Sequence, residues 1–205
     1  MKPFEALRIV ELAGSEAGAF AAKLFADHGA TVIKLEPPEG DPRRSQGEPW
    51  TTGVGVEVGT TWAYLNTSKV SVTLDEGDDA GLAALLEGAD AVVESSSPGP
   101  LVPRTDSVGD ESLVRTRISP FGSSGPYAGY RSNYFTDEAL GGQLYPNGEP
   151  SREPIRRPGL HVAYQAGTHA FIGMMAALRV ADLTRRGQTV EVAHLEGTAT
   201  LHQHT

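Results

Sequence analysis

The residues best suited to chemistry begin with an adjacent basic pair. Arg43 and Arg44 close the stretch Gly29–Arg44, GATVIKLEPPEGDPRR, in which a short apolar strand runs into a turn rich in proline and glycine. Just before it come another apolar strand, Leu7–Leu12, a small-residue loop and a helix. Strand, tight loop, helix and second strand make one half of a nucleotide-binding unit, where the ligand sits at strand ends and helix starts. The remaining candidates are scattered. Asp137 and Glu138 are adjacent acids on a short helix, and read as a solvated face. His161, His169 and His194 have no short ligand spacing such as HxxxH, which disfavours a metal site; His202 and His204 are terminal and read as exposed. There is no cysteine, which excludes a disulfide framework, thiolate zinc sites and a cysteine nucleophile.

Charge narrows the ligand. The 205 residues carry a formal net charge of −9, so a broad nucleic-acid surface is not expected, and an anionic ligand needs a local group of Arg and Lys working against the global field. The N-terminal segment lacks an apolar signal core, and no run approaches membrane-spanning length. A cytoplasmic protein without membrane or nucleic-acid partners is the expectation.

The elements that must position these residues follow from pattern. Leu7–Leu12 and Thr31–Leu35 read as buried parallel strands, with a helix from about Ala17 to His28 between them and Gly29 as its stop. Residues 39–60 read as one long loop. Val70–Leu74, Asp90–Glu94 and Val114–Ser119 are further strands, and Asp78 or Asp79 caps a helix between the first two. Gly122, Gly125 and Pro126 shape a turn. A short helix is expected over Asn133–Leu140 and a long one over Ala163–Val180, then a strand at Gly187–Val192 and a helix starting near His194. Alternating strands and helices of these lengths predict an α/β fold with a doubly wound, mainly parallel sheet in one domain, residues 1–205.

Six segments, in order, resemble the class III CoA-transferases, the CaiB/BaiF family. They are VELAGSEAG, GATVIKLEPPEGDPRR, LNTSKVSVTLD, GADAVVESSSPG, ISPFGSSGPYAG and GMMAALRVADLTRRGQTVEVAHLE. The resemblance covers nearly the whole chain. It implies a Rossmann-like CoA-binding domain, coenzyme A or acyl-CoA as ligand, no metal, and a dimer of intertwined chains. The family's smaller second domain is expected to be absent, leaving a CoA-binding domain that is incomplete relative to the family.

Within that resemblance the residues suit CoA. Arg43 and Arg44 offer planar, multidentate donors for phosphate, or are solvated loop charges. Lys69 adds a point charge, and Asn66 can donate and accept near ribose or adenine. Ser15 and Glu16 open a helix whose N–H groups can face an anion, or simply cap it. By family position Glu94 and Ser95 lie beside the nucleotide.

The catalytic pattern departs from the family. The resemblance implies an aspartate nucleophile four residues before the glycine that opens a G-x5-G-x2-A-A-L helix, here Gly167–Leu178; that position is Ala163. A carboxylate is needed there because the reaction carries acyl and thioester states in turn. The racemase branch implies a histidine after the GPYA motif, and Asn133 stands near that position. His161 and Asp137 are the candidates for a relocated group. An aspartate-less chain fits a CoA-binding, non-catalytic or partner-dependent subunit of an acyl-CoA transferase, as a homo- or heterodimer with a related chain carrying the aspartate. The alternatives are an active CoA-transferase, racemase or hydratase with a relocated group, and a structural module without ligand.

Overall fold

The computed structural model describes residues 2–75, 77–97, 101 and 104–201. Six strands form one sheet: β1 (Arg8–Gly14), β2 (Thr31–Glu36), β5 (Val70–Thr73), β6 (Ala91–Ser96), β7 (Val114–Ser119) and β8 (Thr189–Ala193). All neighbours pair in parallel, in the order β5-β2-β1-β6-β7-β8. In rank order that is 3-2-1-4-5-6, which reverses direction between β1 and β6. The strands are short and, at the centre, buried on both faces; β1 and β6 carry apolar residues near their starts, Ile9 and Val10 in one and Ala91, Val92 and Val93 in the other, and buried polar residues toward their C-terminal ends.

Helices cover both faces. On one, α1 (Glu16–Asp27) and α5 (His161–Thr184) pack with Ile9, Val32, Val93, Val114 and Ile118 around the fully buried Phe25. On the other, α3 (Asp79–Leu86) seats Leu82 and Leu86 on Val10 and Val92. Small residues let α1 and α5 approach closely. A Cβ at Gly167 would lie 2.7 Å from the Ala17 carbonyl oxygen, which explains glycines that are otherwise unfavourable inside a 24-residue helix. Phe25 meets Phe171 further along, with ring centroids 4.6 Å apart. Both helices cross between parallel strands, so they run in the same direction.

The loop expected over residues 39–60 is largely structured. It contains a 3-10 turn at Pro42–Ser45 and a hairpin of β3 (Pro49–Thr51) and β4 (Glu57–Gly59), and α2 (Thr60–Leu65) follows. Gly/Pro content masked these short elements, which rest on tertiary contacts. The solvated acidic face expected at Asp137 and Glu138 is also corrected. Both are buried on α4 (Tyr134–Leu140), and Asp137 lies 3.2 Å from His194 Nδ1 at the start of α6 (His194–Ala199). The approach of α6 to α4 in space, invisible in sequence, encloses them.

A buried charge network braces β1, β2 and the entry to β5. Glu11 on β1 takes Lys34 from β2 at 2.9 Å and Lys69 from the entry to β5 at 2.6 Å. Lys34 also reaches Asp41 at 3.2 Å, and Asp41 holds Arg43 at 2.9 Å. Burial opposes ionisation of Glu11, but Lys69 and Lys34 more than offset it and hold its carboxyl below the usual range.

Glu11→Gln should therefore leave two buried ammonium groups poorly paired and destabilise the fold by about 3–5 kcal/mol, read by denaturant titration. Because the folded-state value of Glu11 is depressed, its contribution is present above the ordinary carboxylate range and lost as pH falls through the lowered value. The wild-type advantage over Glu11→Gln should accordingly shrink on acidification. Gly18→Ala should lower the melting temperature by several degrees, since its Cβ would lie 2.3 Å from Ser95 Oγ and 2.9 Å from Ala13 Cβ, an overpacking cost of about 1–3 kcal/mol.

Candidate CoA cleft at the sheet's switch point

Strand order reverses at β1 and β6, which stay paired to their ends at Gly14 and Ser96, and a crevice is expected beyond those ends, where the connections that follow diverge. Ser15 caps α1 there, accepting from Gly18 N at 3.4 Å, and the Ser15 N–H donates to Ser95 Oγ at 3.2 Å. This pair fixes the first turn of α1 to the end of β6. Its β-region backbone and buried hydroxyl are those of a helix cap.

Two cavities flank this point, and Arg43 lines both. The first, about 290 Å³, lies over the ends of β1 and β2 and is lined by Ala13, Gly14, Pro37, Asp41, Leu74 and Arg104 among others. The second, about 320 Å³, is lined by Glu16, Ser97, Ser132, Asn133 and Tyr134. Arg43 is aimed by its donation to the Ala13 carbonyl and to Asp41 Oδ2, both at 2.9 Å, and keeps a quarter of its side chain exposed. Arg104 is exposed, and its backbone N–H donates to Glu94 Oε1 at 2.6 Å. Two guanidinium groups thus border one cleft.

The remaining sequence candidates divide by what they touch. Arg44 forms a fork with Glu36, Nε to Oε2 and Nη2 to Oε1 both at 2.8 Å, and lies over the Trp62 ring. Lys69 is spent internally on Glu11, the Ala19 carbonyl and Asn66 Oδ1, and the Asn66 amide donates to the Trp62 carbonyl. Neither lines a cavity described above. Glu94 is buried on the α3 face, where Thr105 Oγ1 donates to it at 2.9 Å and Arg117 pairs with it at 3.2 Å. Its register neighbour on β7 is Arg117 itself. Ser95, on the α1 face of the same strand, meets Ser15. Of these candidates Glu16 and Arg43 line the cavities; Ser15 and Ser95 are buried and hold the start of α1 to the end of β6, while Arg44, Asn66, Lys69 and Glu94 brace the elements around them.

Arg104 was missed in sequence because it follows a Ser/Pro-rich loop and carries no motif of its own. The signal available was its spacing from the strand end at Ser96, which places a basic residue within one loop of Arg43.

Glu16 is the carboxylate of the second cavity. Tyr134 Oη donates to Oε2 in a very short contact, and Gln46 Nε2 donates to Oε1 at 2.5 Å. Burial would raise its carboxyl, but the hydrogen bonds from Tyr134 and Gln46, with Arg43 nearby, hold it below the usual range. Burial and the Glu16 charge push the Tyr134 phenol up, so it stays a donor.

Ala163 is fully buried in the cluster that packs α1 and α5 on the sheet, with Tyr134 against that cluster. His161 is exposed in the first turn of α5. Asp137 faces His194 and lines neither cavity. His202 and His204 lie outside the described residues. Among the described residues no group of three or more His, Asp or Glu is placed to hold a metal ion, and no helix is long and apolar enough to cross a membrane.

Comparison with known proteins places this geometry. The family model described as CoA-transferase family III matches residues 4–205. Subunit BbsE of the succinyl-CoA:(R)-benzylsuccinate CoA-transferase of Thauera aromatica is 36% identical over 96% of this chain and 50% of its own length. The succinyl-CoA–D-citramalate CoA-transferase of Chloroflexus aurantiacus is 34% identical over 98% of this chain and 51% of its own. A CAIB/BAIF family protein from Brucella suis superposes with a TM-score of 0.89 at 28% identity, covering 98% of this chain and 56% of that one. The chain spans about half the length of the curated relatives it matches. With the motifs, the sheet order and these matches in agreement, the chain belongs to CoA-transferase family III.

Proposed function

We propose that this chain binds CoA or an acyl-CoA in the switch-point cleft and works as a partner-dependent subunit of an acyl-CoA transferase. The observation that carries the reading is the pair Arg43 and Arg104 lining one cavity over the ends of β1 and β2. CoA presents a 3′-phosphate and a pyrophosphate. Two guanidinium groups with fixed fork geometry suit those anions, and the net charge of −9 makes a local cationic pair the more telling. The adjoining cavity, reached past Arg43, gives the pantetheine arm and thioester a place beside the start of α1.

Partner dependence is supported by two observations. The position where the resemblance implies an aspartate is Ala163. One relative is by name a CoA-transferase subunit, and another, a succinyl-CoA–L-malate CoA-transferase alpha subunit of Chloroflexus aurantiacus, is 29% identical over 95% of this chain. We propose accordingly that it is the large CoA-binding domain of the family, and that a related chain completes the acyl site, in a homo- or heterodimer.

Isothermal titration with CoA tests the reading. The wild-type chain, alone or mixed with an aspartate-bearing family chain, should bind CoA. Arg43→Ala and Arg104→Ala should each weaken binding about tenfold or more, the scale of one charge-assisted hydrogen bond to phosphate. Added salt should reduce the difference. Absence of CoA binding in both states, with no rise in melting temperature at millimolar CoA, overturns it.

A further inference from the structure

The family's carboxylate position is empty of a carboxylate, yet the cavity beside it holds one. Helices α1 and α5 run in the same direction, with Gly167 packed on Ala17 and the Tyr164 ring 4.7 Å from that of Phe20. Ala163 lies one helical turn before Gly167, toward the end of α5 nearest the start of α1. Glu16 is in that turn. Tyr134, whose ring packs on the cluster containing Ala163, donates to the Glu16 carboxylate.

We propose that Glu16 is the nucleophilic carboxylate of this chain, standing in for the aspartate absent at Ala163. The inference rests on the CoA cleft proposed above. Partner dependence then concerns completion of the acyl site, not the origin of the nucleophile.

Several observations carry it beyond a helix-opening acid. Glu16 is partly buried and lines a cavity continuous with Arg43, so it is accessible from the CoA side. Both its oxygens have neutral donors, Tyr134 and Gln46, rather than a direct ion pair that would neutralise it. It is ionised at neutral pH. Ser132 lines the same cavity, is 5% exposed, and its buried hydroxyl has no hydrogen-bond partner. An unpaired buried hydroxyl facing a cavity is costly unless a ligand meets it.

The steps balance. A Glu16 Oε attacks the acyl thioester carbonyl; the C–S bond breaks, and CoA leaves as thiolate, giving a mixed anhydride. The thiolate then attacks Glu16 Cδ. The anhydride C–O bond breaks, the donor acid leaves as carboxylate, and Glu16 holds CoA as a thioester. The acceptor carboxylate repeats the sequence in reverse. No oxidant or external proton is consumed. When the thiolate adds to Glu16 Cδ, negative charge develops on a Glu16 oxygen, where Tyr134 Oη and Gln46 Nε2 are already placed to donate.

The test uses the full chain with succinyl-CoA as probe, alone and mixed with an aspartate-bearing family chain. Hydroxylamine is added during turnover, and peptides are read by mass spectrometry. A hydroxamate on the peptide containing Glu16 is expected in wild type, weaker in Glu16→Asp, and absent in Glu16→Gln. Exchange of labelled succinate into succinyl-CoA by the chain should fall by more than about a thousandfold in Glu16→Gln, the scale seen when a nucleophile is removed. Glu16→Gln is isosteric, and its CoA titration separates the two proposals. CoA binding retained with no Glu16 hydroxamate in wild type, alone or mixed, overturns this inference and leaves the binding cleft standing. Exchange that survives in Glu16→Gln overturns it as well. Loss of CoA binding in wild type itself brings down both.

Discussion

The C-terminal end of the sheet depends on a carboxylate that no solvent reaches. Glu11 sits in the middle of β1 on the face covered by α1, and two ammonium groups from different parts of the chain converge on it. An ionised group in that position is tolerable only because both partners are held by further contacts, Lys34 by Asp41 and the Trp62 ring, Lys69 by Asn66 and the Ala19 carbonyl. The result is a strut. It joins β1 to β2 and to the start of β5, and through Asp41 it carries the 3-10 turn that presents Arg43. Specificity of position is what such a buried network supplies, more than net stability.

From that strut the division of labour among basic residues follows. Charges inside the network cannot also serve a ligand, because their donors are already committed. Lys69 and Arg44 look in sequence much like Arg43, yet each is absorbed by a buried glutamate. Arg43 differs in lining both cavities, with its Nη2 held by a carbonyl and an aspartate and a quarter of its side chain exposed. Arg104 joins it from the far side of the switch point. Two cations at one cleft, in a molecule whose overall charge is strongly negative, form a local site and not a general anion surface.

The position that would hold the family's aspartate is a methyl group closed into the core, while a carboxylate stands one helix away. Moving a reacting carboxylate from α5 to α1 keeps it beside the ends of β1 and β6, where the crevice already exists. The fold sets the location of the chemistry more firmly than it sets which helix supplies it.

Much of the fold was legible in order along the chain. Short apolar runs, the Gly29 stop, the Asp78 cap and the alternation of strand and helix are local, and local sterics and hydrogen bonding decide them. The Asp78 side chain accepts from Gly81 N; Asn133, read as the first residue of its helix, is instead the cap and accepts from Thr136 N. The Ala163 substitution was legible too, since it needs only register within one helix. The hairpin at residues 49–59, the burial of Asp137 and Glu138 against His194, the commitment of Lys69, Asn66 and Glu94, and the arrival of Arg104 at the cleft were not. Each depends on which distant segment a side chain meets. Chain pattern determines the elements and their order, because period and capping act over a few residues. Only tertiary structure decides which charges are spent on one another and which remain for a ligand, because that choice is made across β1, β2, β6 and α1 at once.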